Sequence, residues 1–182
     1  HAKLLAGRND VRISWVCDPD RNRAEQAAAE VEKVGGKKPA IVQDIRRVLD
    51  DSNVDAITVA TPDHWHAPAT ILACDAGKHV YVEKPCSHNV REGRLMIEAA
   101  RKHNRVVQVG TQARNSRHVR RAMQLLQEGA IGEVLVAKAW DSQRRRNIGH
   151  GRPGKPPAHL NYDLWLGPAP YEPFQANRLH YN

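Results

Sequence analysis

Apolar positions along the chain switch repeatedly between a period of two and a period near 3.6. Val11-Arg12-Ile13-Ser14-Trp15-Val16-Cys17 alternates as a strand and stops at Asp18-Pro19. Ala40-Ile41-Val42, Val54 to Ala60, Val80-Tyr81-Val82 and Val106-Val107-Gln108-Val109 are further short runs of β-formers. Helical spacing fills the intervals. His1 to Ala6 reads as the last turns of a helix with Gly7 as its C-terminal cap, and Asp20 to Val34 is Ala- and Glu-rich and stopped by Gly35-Gly36. Asp18 is placed to cap that second helix, with Pro19 at its first position. Asp44 precedes a short helix carrying Ile45, Val48 and Leu49; Ala67, Ile71 and Leu72 form a stripe ending at Gly77. Asn89 to His103 places Leu95, Met96 and Ala99 inward. Strands alternating with helices predict right-handed βαβ units and a parallel sheet, an α/β fold.

The texture changes after Gly110. A helix over Ser116 to Glu128, with Val119, Ala122, Met123, Leu125 and Leu126 inward, precedes Gly129 and a longer strand, Glu133 to Trp140. Ser142 to Asn161 is a basic loop rich in Gly and Pro, long for a compact domain. These changes divide the chain at residues 113 and 114, with the opening of a second, substrate-side α/β domain over 114–182, where Trp165 and Tyr171 serve packing.

Two strand ends carry the candidate chemistry. Val80-Tyr81-Val82 runs into Glu83-Lys84-Pro85, where an acid and a base precede a proline that has no N–H to continue the ladder. The Val54 to Ala60 strand ends comparably at Thr61-Pro62. In open α/β sheets ligands bind outside such carboxyl ends.

Thr61-Pro62-Asp63-His64-Trp65-His66, followed after one helix by Glu83-Lys84-Pro85, resembles the glucose-fructose oxidoreductase, inositol dehydrogenase and rhizopine catabolism family (Gfo/Idh/MocA), over nearly the whole chain. The resemblance implies an NAD(P)-dependent oxidoreductase acting on sugars or polyols, with a Rossmann-type domain over 1–113. It assigns Lys84 as the catalytic base that takes the proton of a substrate hydroxyl while hydride leaves for the nicotinamide, and Glu83 to the nicotinamide-side ribose. Thr61, Pro62, Asp63, His66, Lys84 and Pro85 would lie along the cofactor, with Gln112 a further cofactor-side candidate. The family's lysine works with an Asp and a His on a downstream motif, and no catalytic role passes to His159, Asp163 or His180.

A dinucleotide site also needs a glycine-rich turn and an acidic residue about 20 positions later for the ribose 2′-hydroxyl. Asp18 ends its strand as that acid would, which puts the glycine turn and the first strand before residue 1. Its carboxylate favours NAD over NADP; the other reading of Asp18 is the helix cap already described. Lys84 has an alternative as well, a surface ion pair with Glu83. Asp63 and the His64-x-His66 pair have no third metal ligand at a supporting spacing, so a metal is not expected.

The formal net charge of +8 raises nucleic acid and membrane surfaces as partners. The basic residues are scattered, with Arg117, Arg120 and Arg121 on one segment and Arg144-Arg145-Arg146 the sole run, and no aromatic platform accompanies them. A solvated face is expected, with no nucleic-acid partner. No apolar run reaches the roughly 18 residues that span a bilayer. Cys17, Cys74 and Cys86 lack C-x-x-C spacing, which favours reduced thiols and a cytoplasmic protein. A start at His1 and a polar, aromatic end at 177–182 are read as truncation at both ends. The chain alone is then expected to be inactive and to bind NAD poorly, and the full-length protein to be a homo-oligomer. Oxidation of a secondary alcohol of a sugar or polyol is the expected activity. Its rivals are an NAD-dependent glycosidase of the same superfamily and a non-catalytic dinucleotide-binding protein, which would have no need of Lys84.

Overall fold

A computed structural model describes residues 1–35, 37–142 and 147–179. Helix α1 (Ala2–Ala6) precedes strand β1 (Trp15–Cys17), and α2 (Arg21–Gly35) carries the chain to β2 (Ala40–Val42), which pairs with β1 in parallel, Val16 opposite Ile41. The unit repeats through α3 (Ile45–Leu49), β3 (Ala56–Val59), α4 (Asp63–Asp75), β4 (His79–Glu83), α5 (Val90–Lys102) and β5 (Val107–Gly110). These strands are parallel in the order β3-β4-β5, with Thr58 opposite Tyr81 and Tyr81 opposite Gln108. The expected α/β class and parallel pairing are present, in two ladders rather than one. β1 and β3 do not pair with each other; residues 14–18 and 54–61 instead line one cleft of about 2470 Å³.

The core sits where α4 and α5 cover the larger ladder. Val59, Val80 and Val82 meet Ala67, Ala69, Ala73 and Cys74 of α4 and Met96 and Ala99 of α5. Small side chains let α4 lie close to the strands, and Val82 is fully buried, a contribution of about 1.5–3 kcal/mol for such a side chain. Leu72 and Leu95, expected inward, are 40% and 41% exposed; α4 buries Ala67, Ala69 and Ala73 instead, and α5 buries Met96 and Ala99.

Side-chain caps explain the helix starts. Asp44 accepts from the Arg46 N–H at 3.0 Å, as its position foretold, and Asn89 accepts from the Glu92 N–H at 3.0 Å while Glu92 reaches back to the His88 N–H at 2.9 Å. The cap of α2 is Asp20, not Asp18: its Oδ1 accepts from the N–H groups of Asn22 and Arg23, at 3.0 and 3.4 Å. Asp18 accepts from the Asp20 N–H at 2.8 Å, one turn of chain earlier, so Pro19 precedes the cap rather than following it. Gly7 ends α1 with φ of −80°, so no left-handed cap forms there. The Thr61 to His66 stretch is a turn only as far as Pro62; from Asp63 onward it is the first turn of α4.

The last third departs further from expectation. Helix α6 (Arg117–Gln127) forms but buries none of its residues, with Met123 51% exposed. Glu133 to Trp140 is not a strand, and Leu135 is 81% exposed. A strand needs a ladder partner for its N–H and C=O groups, and none lies beside this segment among the described residues. The Ser142 to Asn161 stretch has no helix or named strand where it is described, and Arg144-Arg145-Arg146 lies outside the described residues, as does His180. It leads into α7 (Tyr162–Leu166), capped by Asn161, whose Oδ1 accepts from the Leu164 N–H at 3.1 Å.

Candidate active site

Asp18 follows β1, Thr61 and Pro62 follow β3, and Lys84 and Pro85 follow β4, so the turns after three strands meet at the cleft. Asp18, Thr61, Pro62, Asp63, Lys84 and Pro85 all line it. Thr61, Pro62, Asp63, Lys84 and Pro85 are exposed and Asp18 is half-buried. The peptide bond between Lys84 and Pro85 is cis. Lys84 joins no ion pair among the described residues, and it is exposed rather than buried. Glu83 pairs elsewhere: its Oε1 is 2.8 Å from His1 Nε2, while Oε2 accepts from the Lys84 N–H at 3.2 Å.

Glu83 stands at the end of β4 with its carboxylate against Gly110. A Cβ on Gly110 would sit 2.9 Å from Glu83 Oε1 and 2.8 Å from Tyr81 Oη, so glycine is what lets β5 end beside these two side chains. Sequence reasoning missed Gly110, although a glycine closing a β-run is a known signal of close approach. Gln112 lies in a short 3₁₀ turn after β5 and faces a different recess, of about 540 Å³, shared with Tyr81, Gln108 and Asn115.

His66 is 1% exposed. Its Nδ1 is 2.5 Å from the Pro85 carbonyl oxygen and its Nε2 is 2.9 Å from that of Thr61. His64 turns the other way and bonds through Nε2 to the Trp165 carbonyl at 3.0 Å. The two rings are therefore engaged at different places and do not converge on a common point.

That second contact belongs to a docking the sequence did not disclose. Trp65 Nε1 donates to the Leu164 carbonyl at 3.0 Å, and Trp165 stacks on Tyr162 with ring centres 5.7 Å apart while meeting His64 edge-on. Upstream, His159 Nδ1 is 2.9 Å from Asp20 Oδ1, and the Asn161 N–H donates to the Pro19 carbonyl at 2.9 Å. Gln43 Nε2 donates to the carbonyls of both Pro19 and His159. Residues 159–167 thus lie across the turn after β1 and the start of α4. Trp165, expected to pack within a second domain, packs here, and Tyr171 is 79% exposed.

Charge at the cleft is mixed. Arg23 Nε is 4.0 Å from Asp18 Oδ2. The Arg46 guanidinium, bonded to Asp44 at 2.6 Å, holds that carboxyl below the usual range. Asp51 is lowered chiefly by the indole N–H of Trp15, 2.8 Å away, and then by Asn53.

Comparison with known proteins places this geometry. Residues 1–111 match the oxidoreductase family with an NAD-binding Rossmann fold, Gfo/Idh/MocA, and residues 139–182 match an α/β domain found at the carboxyl terminus of such oxidoreductases. The chain belongs to this family. Among Gfo/Idh/MocA relatives, levoglucosan dehydrogenase of Pseudarthrobacter phenanthrenivorans is 37% identical over 92 residues, 50% of this chain and 24% of that enzyme. D-glucoside 3-dehydrogenase of Escherichia coli is 30% identical over 139 residues, 76% of this chain and 38% of the enzyme. The crystal structure of myo-inositol 2-dehydrogenase from Lactobacillus plantarum superposes with a TM-score of 0.65 at 29% identity, covering 74% of this chain and 39% of that one. The chain thus spans well under half the length of these Gfo/Idh/MocA proteins. No helix among the described residues is long and apolar enough to cross a membrane.

The residues at the cleft fit the dinucleotide of such a domain. A carboxylate after β1 has the chemistry to accept from a ribose hydroxyl, and Thr61 and Pro62, exposed after β3, line the same cleft.

Proposed function

We propose that this chain carries the cofactor side of a dehydrogenase that oxidises a secondary alcohol of a sugar or polyol, with Lys84 as the proton acceptor. The observation that supports it most is the position of Lys84, exposed on the cleft at the end of β4 and free of any ion pair among the described residues. A lysine kept only for an ion pair with Glu83 would be found beside that carboxylate, which instead lies 2.8 Å from His1.

NAD, when bound, supplies the hydride acceptor. The chain's own residues do the rest: Asp18 accepts a hydrogen bond from a ribose hydroxyl and repels a 2′-phosphate, which favours NAD over NADP. Thr61, Pro62, Asp63 and Pro85 line the cofactor's path, Glu83 faces the nicotinamide-side ribose, and Gln112 stands nearer the β5 end. Lys84 in its amine form takes the hydroxyl proton as the substrate carbon is oxidised to a ketone. In the same reading residues 1–113 are the cofactor domain, 114–182 open the substrate domain, and the full-length protein is a homo-oligomer.

The test is Lys84→Met in the full-length protein, which keeps the stem and removes the titrating group. Turnover with a polyol or sugar substrate should fall by about 10²–10⁴, the usual contribution of a positioned acid–base group, while the NAD dissociation constant stays close to that of the unmodified protein. Near-normal turnover would remove Lys84 from the reaction and favour a protein that binds the dinucleotide without catalysis.

A further inference from the structure

His66 heads the largest fully buried side chains and reaches both strand ends that frame the cleft. Its two ring nitrogens lie 2.5 Å from the Pro85 carbonyl oxygen and 2.9 Å from the Thr61 carbonyl oxygen. Carbonyl oxygens only accept, so a ring nitrogen that carries a proton donates to the carbonyl it faces, and the ring packs between the two turns whichever nitrogen that is. The ring is anchored from behind by the helix that bears it. Thr70 Oγ1 donates to the His66 carbonyl at 2.7 Å, and Ala67, Ala69 and Ala73 press α4 onto the core. The groups in front, Thr61, Lys84 and Pro85, are all exposed. Among the described residues no other side chain bonds to a carbonyl from each of these two turns.

We propose that His66 is a positioning residue for Lys84: the imidazole ties the turn after β4 to the turn after β3 and so fixes where the lysine amine stands relative to the cofactor-side wall. The proposal rests on the reading of Lys84 as proton acceptor. His66 itself is buried away from the cleft surface and acts through the Pro85 carbonyl, one residue beyond the base. A base displaced by about 1 Å can lose on the order of 10² in rate, so a buried ring that bonds to both turns has leverage without touching substrate.

The experiment uses the full-length protein with His66→Phe, His66→Gln and Lys84→Met side by side. Phenylalanine keeps a planar ring without donors, whereas the glutamine amide still donates. Per folded molecule, His66→Phe should lower kcat by about 10- to 100-fold with the NADH dissociation constant changed by less than about 3-fold, and His66→Gln should recover part of the loss. Unchanged kcat, or an NADH affinity that falls as far as kcat, would overturn the positioning role. The tie itself is read without activity, from the ring N–H signal of His66 in ¹H–¹⁵N spectra: a ring proton that exchanges slowly with solvent is expected, and a ring that exchanges freely sinks the proposal. That spectrum needs only the unsubstituted protein, so it decides even if His66→Phe fails to fold. Failure of the Lys84 reading shows separately, as normal turnover in Lys84→Met with the His66 ring proton still protected.

Discussion

Trp65 lies flat against Gly167. A Cβ built on Gly167 would fall 2.3 Å from both Cε2 and Cζ2 of the Trp65 ring, and the glycine has a φ of +53°. Two independent constraints, space and backbone, therefore demand glycine at the end of α7, while the Trp65 indole N–H holds the Leu164 carbonyl three residues earlier. Gly167→Ala should undock α7 from α4 at a cost of about 1–3 kcal/mol. Urea unfolding would measure the loss, and a red shift of tryptophan emission would report Trp65 and Trp165 meeting water. An alanine variant with unchanged stability and emission would show that the docking is dispensable.

Asp20 performs two tasks, and they separate by mutation. It caps α2 and it pairs with His159. At 3% exposed it has little access to water as a substitute partner. Asp20→Ala should cost about 1–3 kcal/mol, since both the cap and a buried acceptor disappear. His159→Ala removes only a partner whose side chain is 35% exposed, and should cost about 0–1 kcal/mol. Chemical denaturation of the two variants gives the comparison, and equal losses would mean that the cap contributes nothing of its own.

Acid should loosen the Asp51 contact only below the pH at which an ordinary carboxylate takes up its proton. The folded-state value of Asp51 lies below the ordinary one because the Trp15 indole N–H bonds its ionised form. The stability this contributes is fully present above the unfolded-chain value, about 3.9, and is lost as pH falls through the lower folded value. Trp15 emission followed during acid titration should show a transition in that window, and Asp51→Asn should abolish it. A transition that survives the substitution belongs to another carboxylate.

Cofactor choice offers a fourth measurement. On the proposed reading Asp18 stands at the ribose end, and with Arg23 Nε 4.0 Å from its carboxylate, removing the acid would leave a cation beside the 2′ position. Asp18→Ser in the full-length protein should raise the affinity for NADPH relative to NADH by about 10-fold or more, the scale of one charge-assisted hydrogen bond. A ratio that does not move would place the ribose elsewhere.

Much of this was legible in the chain because it depends on local pattern. Alternation at Val80 to Val82 and the proline at 85 mark β4 and its end, and Asp44 is a cap by virtue of residue type and position alone. The α2 start slipped by one cap residue because Asp18 and Asp20 both bear the right side chain, and only the long-range bridge between Asp20 and Leu160 chooses between them. Leu95 and Leu72 were misplaced since apolar spacing identifies a face without saying which of its members the core takes, here Met96 and Ala99 on α5 and Ala69 and Ala73 on α4. Glu133 to Trp140 has strand composition, yet pairing is decided by a neighbour and not by the segment. The convergence of Asp18, Thr61 and Lys84 followed from counting strand ends. The contacts of His159, Leu164 and Trp165 span about a hundred residues or more of sequence, and no local signal announces them.

Three successive side chains at the start of α4 face three clients: His64 holds the Trp165 carbonyl, Trp65 the Leu164 carbonyl, and His66 the carbonyls of Thr61 and Pro85. One helical turn is thus a shared handle for the segment 159–167 and for the turn that bears Lys84. Coupling through such a handle is reciprocal. If a molecule that draws residues 159–167 tighter onto α4 changes the hold on Pro85, occupancy at the strand ends changes, by the same factor, how firmly that segment is held.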